Sequence, residues 1–493
     1  MKKKILIEDE PEETRLAVLE DNRLAQLYIE RQAHAPVVGN VYKVRVTNIV
    51  PAIQAAFVDI GAGKNGFLYA KEACAGNTPR NTGIDRLVKP GEEIIVQIVK
   101  EAIGSKGPRV SRQISLAGRF IVYLPADNHI GVSRRIPGKA ESQRLRKILA
   151  NIKPQSGGLI ARTAAIGASE TDLSFDCQNL LRRWSHIESQ AKERPAPVLL
   201  HTELPLISRI VRDLFTEEVS ELLVNSPEEY ERILGTLELA NSRLQDRVRL
   251  YTRKEPLFKS YGLEEEIEKA LRPRVNLKSG GSIVIEKTES LVTVDVNSGK
   301  YISRKNTEET ALRTNLEAAA EVARQLRLRD VGGIIVIDFI DMEKAENRKK
   351  VLAAFKKAVE GDRAKTKVLN ISEFGVIEMT RERVRESLEK IFYEDCPFCD
   401  GCGVLLSKDT LRINISRQIR HLALSNRTAD LTVAVPPRLS AIFGENNEGI
   451  KLLEEKYKRA INVVVDADLH PERFKVICAA HKEKKREELQ CTR

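Results

Sequence analysis

Along the opening part of the chain, apolar and polar residues alternate in short runs, the period of half-buried strands. Residues 5–7, 14–19 and 24–30 read as three strands, with Asp21-Asn22 as the turn between the last two. Such a meander is too small to be a domain, so it must pack on something later in the chain. From Val37 to about Ser115 the pattern stays strand-like, punctuated by Gly39-Asn40, Pro51, Gly61, Gly63, Gly66 and Pro90-Gly91. With runs at 42–48, 55–60 and 93–99, about five short strands in that length suit a small closed barrel such as an OB fold.

The period then lengthens. A basic turn, Ser133-Arg134-Arg135, leads to a helix near 140–152 and a strand-like run at 158–164. Residues 206–250 read as helical, with Ser226-Pro227-Glu228-Glu229 as a helix start, since proline fits the first helical position. Two strands are predicted at 283–286 and 291–296, around Thr288-Glu289-Ser290. A helix over 307–329 follows, opened by a capping box of Asn306 and Glu309. Leu312, Leu316, Ala319, Ala323 and Leu326 stripe it, and Gly332-Gly333 stops it. The continuous apolar run 334–337 predicts a strand buried on both faces, so the whole is a βαβ unit with a parallel sheet. Another helix covers about 346–359, and from about Ser407 helix and strand alternate up to a charged tail at 481–488.

Composition narrows the class. With 493 residues the chain exceeds one core, and length suggests about three domains. Lys and Arg number 81 against 70 Asp and Glu, a net charge of +11 that favours a polyanionic partner. No apolar run approaches the roughly 18–20 residues needed to cross a bilayer. The basic start Lys2-Lys3-Lys4 turns acidic at Glu8-Asp9-Glu10 without a secretory core, so a cytoplasmic location is expected. Seven cysteines, an odd number, make no disulfide framework, but three of them crowd together at Cys396, Cys399 and Cys402.

Candidate chemistry follows from these placements. Asp295 and Asn297 stand two apart on a strand and leave it on one face, while Asp338 ends the next strand of the same unit. Ligands of open α/β sheets bind at the carboxyl ends of parallel strands. Two carboxylates and an amide oxygen there are the hard donors that magnesium selects, and such an ion can activate water against a phosphodiester. Either aspartate could instead cap a turn. Cys396 and Cys399 form a C-x-x-C knuckle that would suit zinc, completed by Cys402 and a distant residue or by a pair from a second chain. A redox disulfide competes with this, although the βαβ context of a thioredoxin-like motif is not evident in the sequence. Phe57 and Phe67 fall on neighbouring barrel strands, with Lys43, Arg45 and Lys106 nearby, either to stack bases and follow a backbone or simply as barrel core. Arg162-Thr163 could pair a guanidinium fork with a hydroxyl on a phosphate.

Six segments carry a resemblance: Gly39-Asn-Val-Tyr-Lys43, Ala55-Ala-Phe-Val-Asp59, Val294-Asp-Val-Asn-Ser298, Arg324-Gln-Leu-Arg-Leu-Arg-Asp330, Gly333-Ile-Ile-Val-Ile-Asp-Phe-Ile-Asp341 and Cys396-Pro-Phe-Cys399. On these the chain resembles the ribonuclease E/G family of bacterial endoribonucleases, closest to its ribonuclease G branch. The resemblance implies an α/β and β multidomain fold. Residues 1–36 and 206–270 would form a split RNase H-like subdomain, and 37–117 an S1-type OB barrel that binds RNA. A 5′-sensor would occupy 118–205, a DNase I-like catalytic subdomain 271–394, a zinc link 395–406, and a small α/β oligomerisation domain 407–493.

Position by position, the resemblance makes Asp295 and Asp338 magnesium-binding catalytic residues and Asn297 a positioner of the attacked phosphate. Phe57, Phe67 and Lys106 would hold single-stranded RNA. Arg162 and Thr163 would sense a 5′-monophosphate, with Gly118 and Val122 as the wall of that pocket. Cys396 and Cys399 would share one Zn²⁺ with a second chain, giving a homodimer or homotetramer, while Cys402 leaves a zinc site within one chain open. The implied activity is Mg²⁺-dependent cleavage of single-stranded RNA, in ribosomal and transfer RNA processing and message decay. The chain stops at Arg493 without the long tail on which the larger branch assembles partners, so no scaffold role is expected. A non-catalytic RNA-binding factor in ribosome assembly is the alternative.

Overall fold

The computed structural model describes residues 2–478 except 32–36, 62, 75, 77, 80–81, 103–106, 240–243, 300–306, 373–374, 426–429 and 444–447. Asn306 of the expected capping box and the tail at 481–488 therefore lie outside the described residues. The chain divides into two units, Met1–Leu388 and Glu389–Arg493.

In the first unit the opening meander (Lys3–Asp9, Glu13–Glu20, Arg23–Arg31) finds its later partner. Lys3–Asp9 runs parallel to Val219–Val224, which pairs in turn with Val248–Leu250, completing five strands. This corrects the reading of 206–250 as helical throughout. Among the described residues of that span only Leu206–Leu214 and Pro227–Leu239 are α-helices, and both strands between and after them carry short apolar runs that alternate too briefly to stand out. The barrel is as expected: Val41–Val50, Ala55–Asp59, Gly66–Tyr69, Arg109–Ser111 and Glu93–Lys100 pair in a ring that closes back on Val41–Val50. Beside it, four short strands from 116 to 161 pack on the helices Lys139–Ile152 and Glu170–Glu193.

A fourth sheet positions the aspartates. Its strand order is Arg274–Asn276, Ser282–Lys287, Leu291–Asn297, Gly333–Asp338, Val376–Arg381, Thr366–Ile371. Leu291–Asn297 and Gly333–Asp338 run parallel across the helix Thr307–Leu328, the predicted βαβ unit. That helix and Ala345–Val359 cover one face, where Val294, Ile335 and Ile337 meet Ala318, Val322, Leu326, Val351 and Phe355 in one core. The other face is open, and Ile334 is 53% exposed, so the strand is not buried on both sides as its composition suggested. The helix stripe is borne out at Ala319, Ala323 and Leu326, which are buried; Leu316 is exposed at 36%, and Ala311, Ala318 and Val322 join the buried face. The helix ends at Leu328, before the two glycines, because Asp330 adopts a left-handed conformation (φ 50°) that stops it.

The second unit places Leu431–Val435 parallel to Ile461–Val465 across the helix Glu448–Tyr457, with Lys475–Cys478 antiparallel on the other edge. Helix Lys408–Ser425 packs on this sheet through Leu411, Ile415 and Ile419. Among the described residues no helix is long and apolar enough to cross a membrane.

Candidate active site and RNA-facing surfaces

Asp295 and Asp338 are register partners on adjacent parallel strands, so both carboxylates leave the open face side by side. Asn297 stands on that face one step along and donates its Nδ2 to Asp295 Oδ2 at 2.6 Å. The three side chains, with Ser298 and Asp341, line a pocket of about 300 Å³ at the carboxyl ends of the strands. Burial, together with the negative charges of Asp295 and Asp341, raises the pKa of Asp338. Two like charges facing each other is an arrangement that a divalent cation relieves. Among the described residues neither carboxylate accepts a backbone N–H, so the turn-capping alternative has no hydrogen bond to rest on.

Two side chains of the helix Thr307–Leu328 hold the segment after Asp338, and sequence reasoning found neither. Asn315, fully buried, donates to Ile340 O at 2.7 Å and accepts from Ile340 N at 3.0 Å. Glu308 accepts from the backbone N–H groups of Glu343 (2.9 Å) and Lys344 (3.2 Å). A buried asparagine in a helix is the signal that could have found the first, because it needs a partner that the helix itself does not supply.

The arginine-rich motif 324–330 turns inward rather than toward a nucleic acid. Arg324 donates to Leu24 O and pairs with Glu321, Arg327 pairs with Glu20 at 2.9 Å, and Arg329 is buried against Gln325 and the carbonyl of Arg272. The bonds of Arg324 to Leu24 O and of Arg327 to Glu20 tie the helix Thr307–Leu328 to the opening meander.

On the barrel, Phe57 and Phe67 lie directly opposite one another on the outer face, partly exposed, with ring centroids 5.3 Å apart. They are not barrel core. Tyr69 extends the row at 4.6 Å from Phe67, and the Arg109 guanidinium sits 4.7 Å from the Tyr69 ring. Period-two spacing from Phe67 was the signal for Tyr69; Arg109 comes from a distant strand. Lys43 and Arg45 are engaged elsewhere, both pairing with Glu93, whose pKa these cations hold down at about 2. Lys106 lies outside the described residues.

Arg162 lies next to Thr163 in the chain and reaches Gly118, with Val122 on an adjacent strand. Arg162 donates to Gly118 O at 2.5 Å and pairs with Asp213 at 2.7 Å; Thr163 Oγ1 lies 3.4 Å from Ser133 Oγ, and Val122 is on the neighbouring strand opposite Ile160. Only glycine fits at 118, because a Cβ there would lie 2.4 Å from the Asp176 carboxylate that receives the N–H groups of Arg119, Phe120 and Ile121. Asp213 was missed by sequence reasoning. Besides Arg162 it binds Arg212 at 2.8 Å, and its carbonyl accepts from Arg363 at 2.9 Å. Burial alone would raise the Asp213 pKa, but Arg212 and Arg162 outweigh it and the net shift is downward.

In the second unit Cys396, Cys399 and Cys402 are free thiols on successive turns. The Phe398 N–H and the Cys399 thiol lower the Cys396 pKa, and Gly403 N donates to Cys399 Sγ at 3.2 Å. Cys402 donates instead to Val404 O. Among the described residues no three or more His, Cys, Asp or Glu side chains gather as a metal cage.

A model described as the ribonuclease E/G family matches residues 115–384, and one described as RNase E/G, thioredoxin-like domain, matches residues 395–481. Ribonuclease G of Escherichia coli is 37% identical over 489 residues, covering 97% of this chain and all of its own. Ribonuclease G of Haemophilus influenzae is 36% identical over 484 residues, 96% of this chain and 99% of its own. Ribonuclease E of Escherichia coli is 38% identical over 485 residues, 95% of this chain but 45% of its own length. The thioredoxin-like match and the βαβ unit at 431–465 correct the expectation that no such context accompanies the C-x-x-C. The knuckle nonetheless precedes that unit and its leading helix, instead of joining a strand to a helix within it.

Proposed function

We propose, from the premise that this chain belongs to the ribonuclease E/G family and is an endoribonuclease of that type, that it hydrolyses single-stranded RNA at Asp295 and Asp338 with Mg²⁺. The observation that carries the reading is the register pairing of the two carboxylates on an open sheet face. Held by Asp295 and Asp338, such an ion would supply charge neutralisation for the phosphate and a lowered pKa for water. Water oxygen bonds to phosphorus as the bond to the 3′-oxygen breaks, leaving a 5′-phosphate on one product and a 3′-hydroxyl on the other. Asn297, held by Asp295, orients a phosphate oxygen with its amide. Asn315 and Glu308 keep the segment behind Asp338 from moving, so the carboxylate is aimed before substrate arrives.

The row Phe57, Phe67 and Tyr69 supplies π-faces for successive bases, which favours single strands over duplex because paired bases cannot be stacked on. Arg162 and Thr163 would receive a 5′-monophosphate. Arg162 is pre-positioned by Gly118 and Asp213, and the phosphate would bind its remaining donors. Processing of ribosomal and transfer RNA precursors and decay of messages are the roles such an activity would serve. The test is a short single-stranded RNA carrying either a 5′-phosphate or a 5′-hydroxyl. Cleavage that requires Mg²⁺, stops in EDTA and is faster by about tenfold with the 5′-phosphate is expected, one charge-assisted contact being worth roughly 1.5–3 kcal/mol. Equal rates on both ends would remove the sensor reading, and cutting in EDTA would remove the metal.

For Cys396 and Cys399, a shared Zn²⁺ fits two free thiols on successive turns, the Cys396 thiol held below its usual range by the Phe398 N–H, while Cys402 Sγ donates to Val404 O. Structural zinc takes four ligands, so a pair per chain implies a dimer with about one zinc per two chains. Native mass spectrometry with metal analysis should return that ratio, and Cys396→Ser or Cys399→Ser should release both zinc and partner. One zinc per chain, lost in Cys402→Ser, would overturn the shared site.

A further inference from the structure

A second cavity, of about 550 Å³, opens beside the catalytic pocket and shares Phe339, Ile340 and Asp341 with it. Its floor is apolar: Phe339, Met342 and Val351 belong to the core of the catalytic sheet. Its rim carries three different hydrogen-bonding groups. Asp341 is exposed, and its Oδ1 reaches to 3.8 Å from where a side chain on Gly375 would begin. Arg348 spends one nitrogen on the carbonyls of Met342 (2.5 Å) and Glu343 (3.0 Å), and among the described residues its other two nitrogens make no hydrogen bond or ion pair. The Ser372 hydroxyl oxygen is buried and, among the described residues, has no partner.

An apolar floor with a few convergent polar groups is the make-up of a ligand site. A phosphate would meet the Asp341 carboxylate, which disfavours it. A planar base suits the site better: its faces lie on the apolar floor while its edge finds an acceptor in Asp341, a donor in Arg348 and either in Ser372. Continuity with the pocket of Asp295 and Asp338 places such a base next to the phosphate being cut. We infer that this cavity is a base-reading subsite that takes the nucleobase of a nucleotide flanking the scissile phosphate and prefers bases bearing an amino group over uracil. The inference rests on the placement of the scissile phosphate at Asp295 and Asp338.

The test uses the full-length protein and short 5′-phosphorylated RNAs with one cleavage site, made intact or with an abasic nucleotide at each flanking position in turn. In the wild type, an abasic nucleotide at one position is expected to raise KM about tenfold, as loss of one recognised base does. Ile371→Trp, which fills the cavity from its partly buried wall, should cut the intact and that abasic RNA equally. Asp341→Asn is isosteric at an exposed position and keeps the test decisive should the tryptophan variant misfold. It should lose the preference for adenine, cytosine or guanine over uracil at that same position. An abasic penalty of the same size in wild type and Ile371→Trp, or a base preference unchanged in Asp341→Asn, would overturn the subsite. Failure of the wild type to cut any of these RNAs would overturn the reading beneath it, so the two failures are distinguishable.

Discussion

Asp295→Asn and Asp338→Asn are each expected to lower RNA cleavage by at least ~10²–10³-fold, the scale seen when one preorganised electrostatic group is lost from a reacting centre. Binding of the same RNA should stay close to wild type, because the barrel aromatics and the Arg162 cluster lie outside the pocket. The two variants carry a second signature. Burial and the charges of Asp295 and Asp341 raise the folded-state pKa of Asp338 above its ordinary value. Such a group favours the folded state below the ordinary carboxylate range, and that contribution is lost as pH rises through the raised value. At neutral pH the metal-free wild type therefore holds an unrelieved repulsion, which either amide removes. In EDTA at neutral pH both variants should melt no lower than wild type, and their advantage should vanish once the pH falls far enough to protonate Asp338. Melting curves and single-turnover cleavage on the same preparations check both halves. Variants that cut normally would end the assignment, and variants that melt well below wild type in EDTA would make these aspartates structural.

That the pair could be found at all from sequence follows from local rules. Asp295 and Asn297 share a face because strands have period two, and the long helix between two apolar runs forces a parallel neighbour, so Asp338 had to end beside them. The barrel was legible for the same reason, its turn residues falling at regular spacing. What was not legible depends on pairings between distant segments. Val219–Val224 reads locally as part of a helical stretch, and it is a strand because Lys3–Asp9 lies alongside it. The open face of the catalytic sheet was hidden because Ile334, exposed at 53%, looks like core in a run of four apolar residues. Asn315 and Asp213 were invisible as positioning residues, since each derives its role from groups brought in by tertiary packing: the Ile340 backbone for one, and Arg162 and Arg363 from two distant segments for the other. Metal-ligating residue types announce themselves in sequence. The side chains that aim them do not.

Arg381 is where the largest loss of stability is expected, and the site explains why it should leave the chemistry intact. At the end of Val376–Arg381 its guanidinium binds Asp362 through Nε (2.7 Å) and Nη2 (3.2 Å), and Asp330 through Nη1 (3.1 Å), with Val331 O accepting at 2.8 Å. All three charged side chains are nearly fully buried, at 5–8% exposure. Burial by itself would lower the Arg381 pKa, and the two aspartates more than reverse it. Arg381→Met keeps much of the volume but leaves Asp362 buried without its cation and takes from Asp330 one of its two, Arg385 remaining at 2.6 Å, a loss of about 3–5 kcal/mol. It also frees the left-handed turn at Asp330 that stops the helix feeding the Asp338 strand. For the unit Met1–Leu388 that is a fall in Tm of roughly 4–6 °C. Adding Asp362→Leu should recover part of it, because removing both partners of a buried pair is far less costly than removing one. Arg381 faces Gly333, at the far end of the strand from Asp338, so cleavage per folded molecule well below the melting point should match wild type. A Tm within a degree or two of wild type, or a kcat that falls while the protein is still folded, would refute this division between the residues that hold the sheet and those that cut on it.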